Sequence, residues 1–449
     1  MKHAQDVKQW KIGLLGLGTV GRGVVEILGE RSAILAARAG VDIRVARVFD
    51  RSWRKKQDVL GDIPASDNAD DVLNDPELDV VVELIGGLEP AHDFVRRALE
   101  SGKNVVTANK ALLARHGNTL LPLARKHQVS VGFEAAVAGA LPVIRNMRRS
   151  FVSDDVSAIH AILNGTSNFI LTRMEEDGMD YAEALKLAQD RGFAEADPTF
   201  DVGGFDAGQK LAILAALAFD TAIAEDAVIV EGIETIRHKD LSFAAAMNRV
   251  IRPLAIARKF PDGRISLRVH AAMLPADHAL AAVQDEKNAV MIDTSNSGPA
   301  MIMGLGAGAR PTAAAVISDL VFLAGRESGQ SQIWLSGFDQ PNPVTEFEYR
   351  FYLRFQTVDR PGVLSEISRI LAGEQISIAS VHQYEGAEPI DLVVVTHTVD
   401  EAALKRALDS IAKLESILAA PIWIRMKEEH QSGEGDSGSS VLPGADGRG

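Results

Sequence analysis

No cysteine occurs anywhere in the 449 residues. Disulfides, thiolate nucleophiles and cysteine-ligated zinc are thereby excluded, and the composition suits a reducing compartment. Histidine is sparse (11 residues) and scattered, without the HxxxH-type spacing that marks a zinc site. A basic excess is also missing. The 47 Lys and Arg stand against 61 Asp and Glu, a formal charge of −14, which disfavours nucleic acid or an anionic membrane as the main partner. The apolar run from Leu211 to Phe219 is far short of the roughly 20 residues that cross a bilayer. The opening MKHAQDVKQW holds no apolar core of signal-peptide length. The expectation is therefore a cytoplasmic protein. What is present is ordinary for a globular chain, 46% hydrophobic and 24% charged, and the length suits about three domains of roughly 150 residues.

Residues 11 to about 139 alternate β-rich runs (KIGLLGL, VDIRVARVFD, LDVVVEL, KNVVTAN, VSVGFEAA) with helical stretches such as GRGVVEILGERSAILAARAG and AHDFVRRALESG. Such alternation predicts a parallel sheet covered by helices on both faces, a Rossmann-type α/β domain. After Pro142 the pattern changes. VSAIHAILNG reads as a strand, helices follow from about Ser167 and over YAEALKLAQDRG, and a long apolar helix starts near Phe205. Strands ISLRVHAAML, NAVMIDTS and PAMIMGL complete a mixed α/β block with an open, mainly antiparallel sheet. Residues 328–345 are rich in Ser, Gly, Gln and Pro and read as a linker. Residues 346–427 run β-α-β-β-α-β, and 428–449 are so poor in apolar residues that disorder is expected.

Gly16-Leu17-Gly18-Thr19-Val20-Gly21 matches G-x-G-x-x-G. The motif is short and weak by itself, but an apolar strand (Ile12 to Leu15) precedes it, a helix follows, and a second strand ends at Asp50. Gly16 permits the tight turn, Gly18 lets the backbone approach a pyrophosphate, and Gly21 lets helix pack on strand. Thr19 and Val20 open the helix whose free N–H groups receive the anion. Asp50 would suit the ribose hydroxyls of NAD. Arg51, Arg54, Lys55 and Lys56 follow at once and would suit the 2′-phosphate of NADP, or simply solvate a helix start. Asp50 lies 29 residues beyond Gly21, rather than the usual ~20. The balance leans to NADP, with Arg51 on its phosphate.

Hydride transfer to a carbonyl needs a proton donor for the developing alkoxide. The segment Gly192 to Lys210 packs Glu195, Asp197, Asp201, Asp206 and Lys210 into a Gly/Pro-broken loop that enters the apolar helix LAILAALAF. Asp206 and Lys210 are four apart and share a helix face. Most such pairs are surface ornaments, but here the turns that follow are almost wholly apolar, which predicts that the pair is buried. A partly desolvated lysine has a lowered pKa, which suits proton donation near neutrality.

Six motifs then stand in order: the glycine loop, Thr107-Ala-Asn-Lys110, Phe133-Glu-Ala-Ala-Val-Ala-Gly139, Asn164-Gly-Thr-Ser-Asn168, Glu195-Ala-Asp-Pro through Lys210, and Gly306-Ala-Gly-Ala-Arg-Pro-Thr312. Over residues 11 to about 326 the chain resembles the homoserine dehydrogenase family. The resemblance implies NAD(P)H-dependent interconversion of L-aspartate 4-semialdehyde and L-homoserine, in threonine, methionine and isoleucine biosynthesis. It implies Lys210 as proton donor and Lys110 as a second lysine near substrate and nicotinamide. Glu195 and Asp206 would hold the substrate's polar groups. The loop after Phe133 resembles the family's monovalent-cation site, which for sodium or potassium would use the Glu134 carboxylate with backbone carbonyls of Val137, Gly139 and Leu141. The helix PTAAAVISDLVFLA would return to the cofactor domain, bringing Gly308 to the nicotinamide half. The implied division is a cofactor domain of 1–139 plus about 305–327 and a substrate, catalytic and dimerisation domain of 140–304.

The module at 346–427, with Asp359-Arg-Pro-Gly362 between its first strand and first helix, resembles an ACT domain. That implies amino-acid binding and feedback by threonine, or a purely structural dimerisation module, in a homodimer or homotetramer. No aspartokinase-like region precedes the glycine loop, so a monofunctional enzyme is expected. A non-catalytic sensor of cofactor and amino acid is the rival in another class, and intact Lys110, Glu195, Asp206 and Lys210 argue against it. A different Rossmann–ACT dehydrogenase is the other rival. A phosphoglycerate dehydrogenase would carry its glycine loop mid-chain, and a prephenate dehydrogenase would need a catalytic histidine motif that is not found.

Overall fold

The computed structural model describes residues 8–325, 339–340, 342–344, 347–383 and 389–427. The expected disordered tail lies outside the described residues, as does the expected linker apart from 339–340 and 342–344. The chain divides into two compact units, one of residues 1–247, 251–272 and 279–347, the other of 248–250, 273–278 and 348–449. Among the described residues no helix is long and apolar enough to cross a membrane.

The first unit opens with a six-stranded parallel sheet. Its strands are β1 (Lys8–Leu15), β2 (Val41–Phe49), β3 (Ala65–Ser66), β4 (Val80–Glu83), β5 (Asn104–Thr107) and β6 (Val131–Gly132), in the order β3-β2-β1-β4-β5-β6. This is the Rossmann order, and the direction of winding reverses between β1 and β4, where such sheets open a ligand crevice. Val80, Val81 and Val82 are all fully buried, as befits a strand with both faces covered. Crossovers run through α1 (Thr19–Ala39), α2 (Ala91–Glu100) and α3 (Lys110–Lys126). α1 stops at Gly40, which takes φ 68°. Two details differ from the sequence reading. VSVGFEAA yields only the two residues of β6 before a tight helical turn at Glu134–Ala136, and β3 was not foreseen. Elements of two residues leave no periodicity to read.

The second sheet comprises β7 (Val156–Ile162), β8 (Ile229–Val230), β9 (Arg249–Lys259), β10 (Ile265–Pro275), β11 (Lys287–Thr294) and β12 (Gly298–Leu305). They follow the order β12-β11-β7-β9-β10, with β8 alongside β10. The β12–β11, β11–β7 and β7–β9 pairs are antiparallel. β9 was missed because Pro253 interrupts it and its buried positions do not alternate. Between β7 and β9 come α4 (Gly165–Glu176), α5 (Tyr181–Asp190) and α6 (Phe205–Phe219). α6 is apolar nearly all round from Leu211 to Phe219 and is buried accordingly.

The contacts do not separate the expected cofactor and substrate domains. One buried cluster joins Leu112, Leu113 and Leu120 of α3 to Leu211 and Leu214 of α6 and to Ile159 and Val290 of the second sheet. Helix α7 (Ala309–Ala324) lies on α1, where a Cβ on Gly23 would come within 3.0 Å of the Ala313 Cβ. Val24 and Leu28 share a buried cluster with Val316 and Leu320.

The second unit runs β13 (Glu348–Thr357), α8 (Val363–Gly373), β14 (Ile378–Gln383), β15 (Ile390–Thr396), β16 (Val399–Asp400), α9 (Glu401–Ile411) and β17 (Ile422–Met426). Its main sheet is antiparallel in the order β17-β13-β15-β14, with β16 on β13. Phe351, Leu353 and Phe355, spaced by two along β13, meet Ile367 and Leu371 of α8 and Leu404 and Leu408 of α9. Period two on the strand and the 3–4 spacing on each helix together make one core.

Candidate active site

Gly204 adopts φ 86° and starts α6, so Asp206 falls in the first turn and Lys210 one turn on. Asp206 is 5% exposed, and its carboxylate is filled from several directions. Its Oδ2 accepts from Lys210 Nζ at 2.7 Å and from Asn164 Nδ2 at 2.9 Å, while Oδ1 faces Lys110 Nζ at 3.2 Å. Burial alone would raise this carboxyl's pKa. The positive charges of Lys210 and Lys110, with the hydrogen bonds, override that and hold it at about 2. Lys110 stands at the start of α3, where the Asn109 side chain caps the helix by accepting from Leu112 N at 3.0 Å.

Lys210 also donates to the Leu163 carbonyl at 2.9 Å, and Asn288 Nδ2 donates to that same oxygen at 3.0 Å. An ammonium has three N–H donors, so two of Lys210's are committed and the third is free for a substrate oxygen. Asn164 caps α4 through Oδ1 (Ser167 N, 2.8 Å), while its amide group forks between Asp206 and Asp201. Burial pushes the Asp201 carboxyl up, and the Asp206 charge adds to this against the Asn164 hydrogen bond.

The glycine loop has the shape its motif predicts. A Cβ on Gly16, at φ 98°, would stand 2.8 Å from the Leu84 carbonyl oxygen, and one on Gly21 only 2.3 Å from that of Gly16. A Cβ on Gly18 would meet nothing within 4 Å. Gly18 thus borders open space at the start of α1, where Thr19 and Val20 lie, and the residues fit a pyrophosphate. Asp50 is held by donors from its own chain. Its Oδ2 accepts from Leu17 N (2.9 Å) and Lys56 Nζ (2.7 Å), and its Oδ1 from the Ser52 N–H and hydroxyl (2.8 Å each). Against the upward push of burial, Lys56 and these donors hold it at about 2. Arg51 is exposed and makes no hydrogen bond or ion pair among the described residues.

With this geometry in view, comparison with known proteins is decisive. Residues 142–321 match the homoserine dehydrogenase family profile, 16–134 match the homoserine dehydrogenase NAD binding domain, and 351–416 match the ACT domain. A homoserine dehydrogenase of Pseudomonas aeruginosa is 40% identical over 435 residues, covering 94% of this chain and 100% of its own. The chain belongs to the homoserine dehydrogenase family. The crystal structure of a homoserine dehydrogenase from Thiobacillus denitrificans matches at a TM-score of 0.88 and 38% identity, covering 94% of this chain and 99% of that one. A hyperthermophilic archaeal homoserine dehydrogenase in complex with NADPH matches at 0.60 and 28%, covering 70% of this chain and 98% of its own. A nicotinamide cofactor and oxidoreductase chemistry accompany the family.

Of the residues this family pattern singled out, Lys110, Asp206 and Lys210 meet directly. Glu195 does not join them. It is exposed, and its carboxylate makes no hydrogen bond or ion pair among the described residues. Gly308 is exposed at φ 117° and starts α7. Gly139 takes φ 60°, and a Cβ there would stand 2.4 Å from the Gly306 carbonyl oxygen, so the two glycine turns are in close approach.

Glu134 is buried, and both its oxygens accept from backbone N–H groups, Ile144 N at 2.8 Å and Arg145 N at 3.0 Å. It serves as an anionic cap on the helix Val143–Arg149. Val137, Gly139 and Leu141 follow in the same buried loop, and the Leu141 carbonyl accepts from Val143 N at 2.8 Å. Asp319 lies against Glu134, accepting from its backbone N–H at 2.8 Å. Burial and the Glu134 charge push Asp319 up to about 7. Among the described residues no cluster of three or more His, Asp or Glu could hold a metal ion. Asn288 escaped the sequence reading because it is one polar residue inside a strand and carries no local signal. Asn164 and Asp201 were visible inside motifs, but their shared hydrogen bond was not.

Proposed function

We propose that the chain catalyses the reversible NAD(P)H-dependent reduction of L-aspartate 4-semialdehyde to L-homoserine. The convergence of Lys110 and Lys210 on one buried carboxylate carries this reading. A bound nicotinamide supplies the hydride, and the rest of the step falls to this chain's own residues. Lys210 gives its free proton to the oxygen that becomes the hydroxyl and receives it again in the reverse direction. Asp206 balances and aims both ammonium groups, and Lys110 holds the substrate beside the nicotinamide. Glu195, with its exposed carboxylate, is suited to the substrate's ammonium group. Gly16, Gly18, Thr19, Val20, Gly21 and Gly308 form the cofactor cradle, in a domain of residues 1–139 and about 305–327 beside a substrate domain of 140–304. A monovalent cation at the Val137–Leu141 loop would have to share Glu134 with two N–H groups, and no step is assigned to it.

The cofactor preferred under this reading is NADP. Lys56 neutralises Asp50, the acid that would otherwise bind ribose hydroxyls, and leaves Arg51 open to a 2′-phosphate. Replacing Lys56 by Ala removes a cation and one of the four donors on Asp50, leaving Leu17 N and the two Ser52 donors in place. The NADP-to-NAD ratio of kcat/KM is expected to drop about tenfold, on the scale of one charged contact. An unchanged ratio in steady-state assays would remove Lys56 from specificity.

The second unit is assigned to feedback by threonine. Its first helix starts at Gly362 (φ 99°), after the exposed turn Asp359-Arg360-Pro361, where backbone groups can hold the charged ends of an amino acid. Removing residues 340–449 is expected to abolish threonine inhibition and leave some activity. Inhibition that survives the deletion would put the effector elsewhere. A homodimer or homotetramer in the cytoplasm completes the proposal, and a cysteine-free chain suits that compartment. The experiment that tests the whole reading follows nicotinamide absorbance with homoserine and each of NAD and NADP, with and without threonine. Turnover with NADP ahead of NAD is expected; no turnover with either would leave a non-catalytic sensor.

A further inference from the structure

A carboxylate is hidden at the crevice and has no role in the chemistry above. Glu83 ends β4 and is 0% exposed, at a position where the preceding valines predict another apolar residue. A buried carboxylate is tolerated when donors fill it, and here three do. Its Oε1 accepts from Ile85 N at 2.8 Å and Gly86 N at 3.1 Å, and its Oε2 accepts from the Thr107 hydroxyl at 2.6 Å. Thr107 ends β5 and sits opposite Glu83 in the sheet register. Its oxygen in turn accepts from Asn109 N at 3.0 Å. The Asn109 side chain donates to Gly87 O at 2.7 Å and caps the helix that begins with Lys110. The Leu84 carbonyl, next to Glu83, is the group that Gly16 must approach without a side chain. One relay of hydrogen bonds therefore ties the loops after β4 and β5 to the residue immediately before Lys110, and Gly16 of the loop after β1 packs against it at Leu84.

We infer that Glu83 and Thr107 are positioning residues, which act through Asn109 to hold Lys110 at the Asp206 carboxylate beside the cofactor crevice. The inference rests on the role proposed for Lys110. Glu83 supplies an acceptor for the Thr107 proton, so that the threonine oxygen is turned with its lone pairs toward Asn109 N. Lys110 then leaves the helix start in one direction, and its long side chain spans to Asp206 with less freedom to wander. Orientation of this kind alters rate through geometry, and small misplacements from outside the reacting atoms can cost as much as 10²-fold.

Thr107→Val keeps the shape and removes the hydroxyl, whereas Thr107→Ser keeps the hydroxyl and removes a methyl. Both are made in the native chain and in Lys110→Ala, with kcat/KM for homoserine and NADPH binding by nucleotide fluorescence as readouts. In the native background Thr107→Val is expected to lower kcat/KM about tenfold or more, and Thr107→Ser to stay within about twofold. In the Lys110→Ala background Thr107→Val is expected to cost less than about twofold, since the relay has nothing left to aim. Within each background NADPH affinity is expected to change by less than about twofold on either Thr107 substitution. A Thr107→Val loss that persists in full without Lys110, or a serine variant as impaired as the valine one, overturns the proposal alone. Full activity of Lys110→Ala overturns it together with the role of Lys110 on which it rests.

Discussion

Lys210→Ala is expected to lower turnover about 10²-fold or more while NADPH affinity barely changes. The ammonium is fixed by two bonds, to the Leu163 carbonyl and to Asp206, and both keep its remaining proton in one direction. Removing it takes away a group that acts when negative charge develops on the substrate oxygen, so the loss should fall on kcat and kcat/KM together. The cofactor loop is built from Gly16 to Gly21, in a different part of the chain, and has no bond to Lys210. Lys210→Arg sharpens the test. Guanidinium keeps the charge and can still pair with Asp206, but it does not release a proton in the neutral range, so it should be nearly as slow as the alanine variant. Steady-state rates with saturating homoserine, together with NADPH titration by fluorescence, measure both quantities. Near-normal turnover in Lys210→Ala would remove this lysine from the mechanism.

The second large effect is expected from Asp206→Asn, which should lower kcat/KM by about 10²-fold, since charged groups held in a desolvated site depend on their partner. The amide cannot balance two ammonium groups. Lys110 and Lys210 would then face each other with their shared counter-charge gone. The same substitution carries a pH signature in stability. The Asp206 carboxyl sits at about 2 against an ordinary 3.8, a depressed value, so its ionised form stabilises the fold. That contribution, about 2 kcal/mol by linkage, is fully present above about pH 5. It is lost as the pH falls from about 4 toward 2. The gap in unfolding free energy between native and Asp206→Asn chains, followed by urea titration from pH 7 to pH 3, should therefore narrow at the acid end. A gap that widens there would contradict the assignment.

Much of this was legible in the sequence, and the reasons are local. A parallel sheet follows from apolar runs alternating with helical stretches, and the β1 to α1 turn follows from three glycines at fixed spacing. Burial of Asp206, with Lys210 half-buried beside it, follows from an i,i+4 pair leading into nine apolar residues of α6. Each of these depends on neighbours within one or two turns of chain. The misses depend on distance in the same way. β9 is hidden by Pro253, and β3 and β6 are too short to show a period. The basic run after Asp50 was visible, but the bond from Lys56 to the Asp50 carboxylate was not. Glu134 stood in the sequence as an implied cation ligand, and its use as a helix cap requires the backbone of residues 144 and 145.

By itself, then, the sequence determined that a dinucleotide-binding loop exists and that a buried acid paired with a half-buried lysine lies in the second half of the first unit, because both are written in short local segments. Only the tertiary structure brought Lys110, a hundred residues upstream of Lys210, to the same carboxylate, and set Asn164 and Asn288 around it. The physical reason is that the core of α3 and α6 packs as one apolar cluster, so the polar ends of two remote helices are obliged to share a crevice. The same holds for Gly16–Gly21. Its residues announce a cradle, but the Leu84 carbonyl against Gly16, and the bond from Leu17 to Asp50, join loops that follow strands the sheet alone brings side by side.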